Sequence, residues 1–181
     1  MTMTFFCSVS TLFLSYLFVD AGYKKLSEFS FLQRTIAQYR VLPPSWSTPM
    51  ARILPLMELG LGLGLLIPLL HSVAALAVCA VLMAYSGAIA LNIARGRRDL
   101  DCGCAGPGAA QNISAVLLVR NAVLCMLALV VASSPLSQRV QLGIPEILLT
   151  LVGAVLCALI YQAINQLLAN QDKLRRIAGH G

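Results

Sequence analysis

Long apolar runs broken by short charged clusters set the pattern of this chain. Crossing a hydrocarbon core takes roughly 20 apolar residues in a helix. Five runs meet or approach that length: residues 4–21, 51–70, 72–94, 114–132 and 145–168. The first is short and carries Ser8, Ser10, Thr11 and Ser15. No Lys or Arg precedes it and no small-residue cleavage site follows, so a retained span is expected and not a removed signal. In the connection after it, Leu26, Phe29, Leu32 and Ile36 recur every three to four residues between Lys24, Lys25, Arg34 and Arg40. That spacing predicts a short amphipathic helix at the membrane surface. Pro43-Pro44 stops it, and Trp46 is placed as an interfacial anchor.

The turn between the second and third runs is nearly absent, with Pro68 and His71 marking a tight hairpin. The next connection holds Arg95-Gly96-Arg97-Arg98-Asp99-Leu100-Asp101-Cys102-Gly103-Cys104-Ala105-Gly106-Pro107-Gly108. Its Gly and Pro content excludes a continuous helix. Pro145 stands where a helix tolerates proline, in the first turn. The expected fold is therefore an all-α membrane protein, a bundle of about five transmembrane helices (a four-helix core plus one). It forms one integral membrane domain over residues 1–181.

Composition agrees. Of the 181 residues 59% are hydrophobic and 11% charged, against about 25% charged in soluble domains. The formal charge of +6 comes from juxtamembrane Lys and Arg, whose neighbours are anionic headgroups. It does not point to nucleic acid. Alternation of spans puts the first connection, the Cys-Gly-Cys connection and the C-terminal tail on one side. Of the 13 Lys and Arg, 11 then lie on that side, Arg139 lies opposite and Arg120 is inside a span.

Candidate chemistry centres on Cys102 and Cys104. Cys7, Cys79, Cys125 and Cys157 fall one to a span and read as small apolar residues. Cys102 and Cys104 stand close together in a polar connection, and Gly103 lets the backbone bend into a small disulfide ring. Strained, exposed disulfides are oxidising and exchangeable. Arg97 and Arg98 favour a thiolate, while Asp99 and Asp101 partly cancel them. Half of a metal site and an inert loop pair are the rival readings. Zinc needs about two more ligands, and His71 (opposite side) and His180 (near the end) are the only histidines, so no metal site is assigned.

Ionisable groups inside spans are expensive and functional by default. Glu58 and Arg120 each lie roughly 10 Å from the Cys-loop side at 1.5 Å per residue, and are expected to pair. Asp20, Asn92 and Asn121 fall toward the same end, with Tyr85 and Ser86 deeper. A polar pocket beneath the Cys-Gly-Cys connection follows, with Glu58, Arg120, Asn121 and Asn92 as candidate cofactor-binding residues. An ion pair that merely holds the bundle together is compatible with it. Gly60 and Gly64 have the spacing that permits close helix packing.

Several segments together resemble the methylamine utilisation protein MauE family, within the wider DoxX-like membrane proteins. They are Gly22-Tyr23-Lys24-Lys25-Leu26, Tyr39-Arg40-Val41-Leu42-Pro43, Leu56-Met57-Glu58-Leu59-Gly60, Asn92-Ile93-Ala94-Arg95-Gly96-Arg97, Arg120-Asn121 and, most specific, Asp101-Cys102-Gly103-Cys104-Ala105-Gly106. The resemblance implies a role in maturing methylamine dehydrogenase, whose disulfide-rich small subunit is assembled in the periplasm. It also implies a membrane-anchored thioredoxin-like partner. The arrangement is similar, too, to bacterial vitamin K epoxide reductase homologues, which oxidise a thioredoxin-like partner and reduce a quinone. This chain differs in having Cys-x-Cys and no cysteine pair in its first connection. The expectation is a thiol–disulfide oxidoreductase of the bacterial inner membrane that uses Cys102 and Cys104 and a quinone. Rival expectations are a non-catalytic scaffold for the thioredoxin-like partner and metal transport. Orientation carries a conflict: the positive-inside rule puts the charge-rich side in the cytoplasm, where thiols stay reduced, whereas the resemblance implies the periplasm.

Overall fold

The structure is a computed structural model that describes residues 2–41, 43–97, 100, 113–134 and 143–178, with side chains as far as residue 171. Its elements are helical: α1 Thr2–Ser27, α2 Phe29–Tyr39, α3 Ser47–Gly64, α4 His71–Ala94, α5 Ala115–Ser133 and α6 Ile144–Ala178, with a 3-10 turn Pro44–Trp46 leading into α3. Four of them, over Met3–Ser27, His71–Ala94, Ala115–Ser133 and Ile144–Gln171, are long and apolar enough to cross a bilayer. The all-helical membrane bundle expected from the hydropathy pattern is what forms.

Two boundaries differ from the sequence reading in ways that matter. The end of α1 is Ser27, so Lys24 and Lys25 belong to its last turn and not to a surface loop. A terminal lysine turn is compatible with a helix because cations complement the C-terminal dipole. Likewise α6 continues to Ala178 and takes in the positions of the basic tail.

The buried core joins Leu14, Leu17 and Phe18 of α1, Leu65 after α3, Val78 and Leu82 of α4, and Leu124, Ala128 and Val131 of α5. Helix α1 packs along α3, α4 along α5, and α6 along α1. The α1–α3 approach is close because glycine permits it. A Cβ on Gly22 would stand 2.8 Å from Pro55 O and Leu59 Cγ, and one on Gly62 would stand 2.8 Å from Val19 Cγ2 and 3.0 Å from Ser15 O. Ser15 Oγ donates to Gly62 O across the same contact (2.7 Å). The expected Gly60/Gly64 seam is not the one used. Around Gly60 a Cβ meets nothing within 4 Å, and Gly64 faces only Ala74 Cβ at 3.3 Å.

The amphipathic segment is present as α2, which buries Leu32 and Thr35 while Arg34 stays exposed. It packs on α3, and Trp46 is half exposed beside it. At the opposite end the α3–α4 hairpin is pinned by His71, which is 1% exposed. Its Nδ1 lies 2.8 Å from Leu65 O and its Nε2 lies 3.3 Å from Val131 O. The shorter contact supplies a partner to Leu65 O just beyond the end of α3, as burial demands, while Val131 O also accepts from Ser134 N–H and Oγ.

Candidate functional site

Helices α1, α3, α4, α5 and α6 enclose a cavity of about 250 Å³. Its deep part is apolar, lined by Leu17, Phe18, Leu82, Leu124 and Tyr161. Lys25, Glu58, Tyr85, Arg120 and Asn121 supply polar walls, and Asp20, Lys24, Gln162, Asn165 and Gln166 complete the lining.

The charged centre is Lys25–Glu58–Tyr85. Lys25 Nζ donates to Glu58 Oε1, and the Tyr85 hydroxyl donates to the same oxygen at 2.6 Å. Lys25 Nζ also lies 3.3 Å from Tyr85 Oη and 4.7 Å from the centre of its ring, a cation–π distance. The ion-paired side chains are buried, 8% exposed for Lys25 and 3% for Glu58. Burying either charge alone costs several kcal/mol, so each is tolerated because of the other. Among the described residues Glu58 Oε2 is buried with no hydrogen-bond partner.

The expected Glu58–Arg120 pair is therefore corrected. Both residues line the cavity, but the cation on Glu58 is Lys25. Arg120 Nη1 donates to Asn165 Oδ1 on α6 (3.2 Å), and Nη2 lies 3.4 Å from Asn121 Oδ1. Asn121 Nδ2 donates to Ser86 Oγ (3.2 Å), which donates to Leu82 O (2.8 Å). A polar chain thus runs from α6 through α5 to α4. Lys25 escaped the sequence reading because α1 was expected to end at residue 21. The signal that could have found it is helical spacing, since the lysine continues the apolar face of Leu14, Leu17 and Phe18.

Asn92 is buried but does not line the cavity. It is occupied with ending α4. Its carbonyl accepts from Arg97 N–H (3.0 Å), and Gly96 N–H reaches Ile93 O (3.0 Å). Gly96 sits at φ +74°. This is the Schellman pattern, whose left-handed residue glycine fits. The Asn92 side chain bonds Ala88 O (3.0 Å) and receives Arg97 Nη1 (3.5 Å).

Cys102 and Cys104 lie outside the described residues, as do Asp99, Asp101 and Arg139. The flanks of that connection are described. Ile113 N–H donates to Leu100 O (3.0 Å), and Ile113 is buried against Ile89 and Leu117. The connection therefore begins and ends at one point, between the ends of α4 and α5. Those are the ends that carry Tyr85, Arg120 and Asn121 into the cavity wall.

Two of the span cysteines are not lone residues. Cys79 of α4 and Cys125 of α5 form a disulfide with a Cα–Cα separation of 4.8 Å. The pair lies one helical turn deeper than the cavity residues Leu82 and Asn121. Facing positions on adjacent helices cannot be read from one sequence, which is why the pair was missed. Cys7 and Cys157 are free thiols. Among the described residues no group of three or more His, Cys, Asp and Glu could hold a metal ion.

Comparison with known proteins fits this arrangement. A family model described as methylamine utilisation protein MauE matches residues 3–134. The chain is 36% identical over 150 residues to the methylamine utilization protein MauE of Paracoccus denitrificans, covering 83% of this chain and 80% of that protein. It is 35% identical over 155 residues to the MauE protein of Methylophilus methylotrophus, covering 85% and 81%. With the MauE protein of Paracoccus versutus it shares 39% over 117 residues, 65% of this chain and 63% of that one. No solved structure matches the chain. The matched segment takes in the walls from α1 to α5 and the cysteine connection between α4 and α5, so this multi-pass helical chain belongs to the MauE family of methylamine utilisation proteins.

Proposed function

We propose that this protein is a membrane thiol–disulfide oxidoreductase that supports disulfide formation in, and maturation of, the small subunit of methylamine dehydrogenase. Electrons pass from a membrane-anchored thioredoxin-like partner through Cys102 and Cys104 to a quinone. The observation that carries the reading is the Cys102-Gly103-Cys104 pair in a connection pinned at Leu100–Ile113, at the end of the bundle that also holds the charged cavity. A thiolate of the partner attacks the Cys102–Cys104 disulfide, and a mixed disulfide forms. The partner's second thiol resolves it, which leaves the partner oxidised and Cys102 and Cys104 as thiols. A quinone supplies the acceptor for that electron pair when bound. Arg120, Asn121, Lys25 and Tyr85 offer donors to a carbonyl oxygen, and Glu58 pairs with the buried lysine. Asn92 supports the end of α4.

This reading calls for the bacterial inner membrane with the cysteine connection in the periplasm, where disulfides persist. The basic residues of the first connection are in part absorbed by the bundle, since Lys25 is paired inside it. Labelling Cys102 or Cys104 in spheroplasts with a membrane-impermeant thiol reagent tests this orientation. Cytoplasmic protection refutes it.

Cys102→Ser and Cys104→Ser are each expected to abolish maturation of the dehydrogenase small subunit in cells grown on methylamine. Unchanged maturation in both strains refutes the catalytic reading. The Lys25–Glu58 ion pair, which by itself can hold α1 to α3, favours a second reading, a non-catalytic scaffold for the thioredoxin-like partner. Under it the serine variants lose maturation, yet purified wild-type protein reduces no quinone in the presence of a dithiol.

A further inference from the structure

Helix α6 differs from the other cavity walls in how it is held. Helix α1 is locked to α3 at the Gly22 and Gly62 contacts, and α4 is bonded to α5 through Cys79–Cys125. Among the described contacts, helix α6 packs chiefly on α1. Gly153 sits against Val9, Tyr161 packs edge-on against Phe13 at 5.8 Å, and Gln162 donates to the Tyr16 hydroxyl. Toward α5 the described hydrogen bond is Arg120 to Asn165, between two partly exposed side chains.

We propose that α6 is a displaceable side wall, and that a lipid-soluble quinone reaches the Lys25–Glu58–Tyr85 cluster laterally through the α5–α6 seam, which the Arg120–Asn165 hydrogen bond latches. The inference rests on the quinone reading above. Size supports it: about 250 Å³ falls below the roughly 300–1,000 Å³ of most small-molecule sites. That volume takes one substituted ring and not a polyprenyl tail, so the tail must remain in hydrocarbon while the ring is inside. An opening into the bilayer is required, and α6 presents Leu148, Val152, Leu156 and Leu159 to the lipid side, each about half exposed. Hinging on its α1 contacts would part α6 from α5 without disturbing the Gly22 and Gly62 contacts or the Cys79–Cys125 bond. Inside, a carbonyl oxygen of the ring accepts from Lys25 Nζ, or from the Tyr85 hydroxyl once it turns away from Glu58 Oε1. The balance is two thiols plus quinone giving one disulfide plus quinol, with two electrons and two protons moving together.

The test uses full-length protein in lipid nanodiscs, dithiothreitol as thiol donor, and two acceptors, tailless ubiquinone-0 and long-tailed ubiquinone-10. Quinol formation is followed by absorbance. Asn165→Trp fills the seam and, because Asn165 also lines the cavity, is expected to raise the KM for both acceptors, but for ubiquinone-10 about tenfold more than for ubiquinone-0. Retained ubiquinone-0 turnover also shows that the variant is folded. Tyr85→Phe is expected to raise the KM for both acceptors. Equal effects of Asn165→Trp on both quinones, or no effect on either, would overturn the lateral route while leaving the oxidoreductase reading in place. Wild-type protein that reduces neither quinone overturns both.

Discussion

Removing the lysine from the Lys25–Glu58 pair is the sharpest test of the site's construction. In Lys25→Met a carboxylate that is almost fully buried loses its cation while the volume is nearly kept. Breaking a buried pair by deleting one partner costs about 3–5 kcal/mol. The Tyr85 hydroxyl remains on Glu58 Oε1 at 2.6 Å, and hydrogen bonds to charged groups contribute about 1.5–3 kcal/mol. The expected loss is therefore at the low end, about 3 kcal/mol. At about 2–4 °C per kcal/mol for a chain of this length, the midpoint should fall by about 6–12 °C. The double variant Lys25→Met/Glu58→Gln has no unpaired charge and should recover most of the loss, ending within about 1 kcal/mol of wild type. Thermal denaturation of detergent-purified protein, read as the monodisperse fraction on size-exclusion chromatography, gives the four corners of the cycle. Losses that agree within about 0.5 kcal/mol for the single and double variants would refute the claim that Glu58 depends on Lys25.

The α1–α3 contact gives a paired expectation. Gly22→Ala and Gly62→Ala force a Cβ to within 2.8 Å of neighbouring atoms and should each lose about 1–3 kcal/mol. Gly60→Ala, which meets nothing, should be neutral or stabilising by up to about 1 kcal/mol; the same denaturation measurement separates them. For Cys79–Cys125, mass spectrometry after alkylation in SDS should show both residues unmodified until reduction, with Cys157 reactive throughout. Replacing both by Ala should lower stability by at most about 4 kcal/mol, the loop-closure figure for a separation of 46 residues. His71→Phe removes the side-chain partner of Leu65 O and should cost about 1–3 kcal/mol, read by the same assay and unaffected by changes in the cavity.

The helices were legible because a bilayer tolerates few alternatives. Apolar runs of near-spanning length must be helical to satisfy their own backbones, and α4, α5 and α6 begin within a residue of the expected positions. The amphipathic repeat of α2 was equally plain, since one buried stripe between basic residues has few other folded solutions. Burial of Glu58 and Asn121 could also be anticipated, because polar groups set deep in apolar runs must face the protein.

Partner choice was not legible. The cation for Glu58 was sought at Arg120, a charge within a span. The three-dimensional packing supplies Lys25 instead, because α1 extends to Ser27 and lies close enough at Gly22 to bring its last turn alongside Glu58. For the same reason the glycine spacing at 60 and 64 gave a candidate seam while Gly22 and Gly62 form the real one. Spacing along one helix does not say which face meets a neighbour. Cys79 and Cys125 make the point most simply. Each alone is a small apolar residue in an apolar helix, and only the rotation of α4 against α5 turns them into a bond. The sequence by itself determined that this chain crosses a membrane as helices, which polar groups must be buried, and that a cysteine pair stands in a polar connection. The tertiary structure alone decided which buried groups meet, because interhelical distances depend on how helices rotate and approach, and no single helix encodes that.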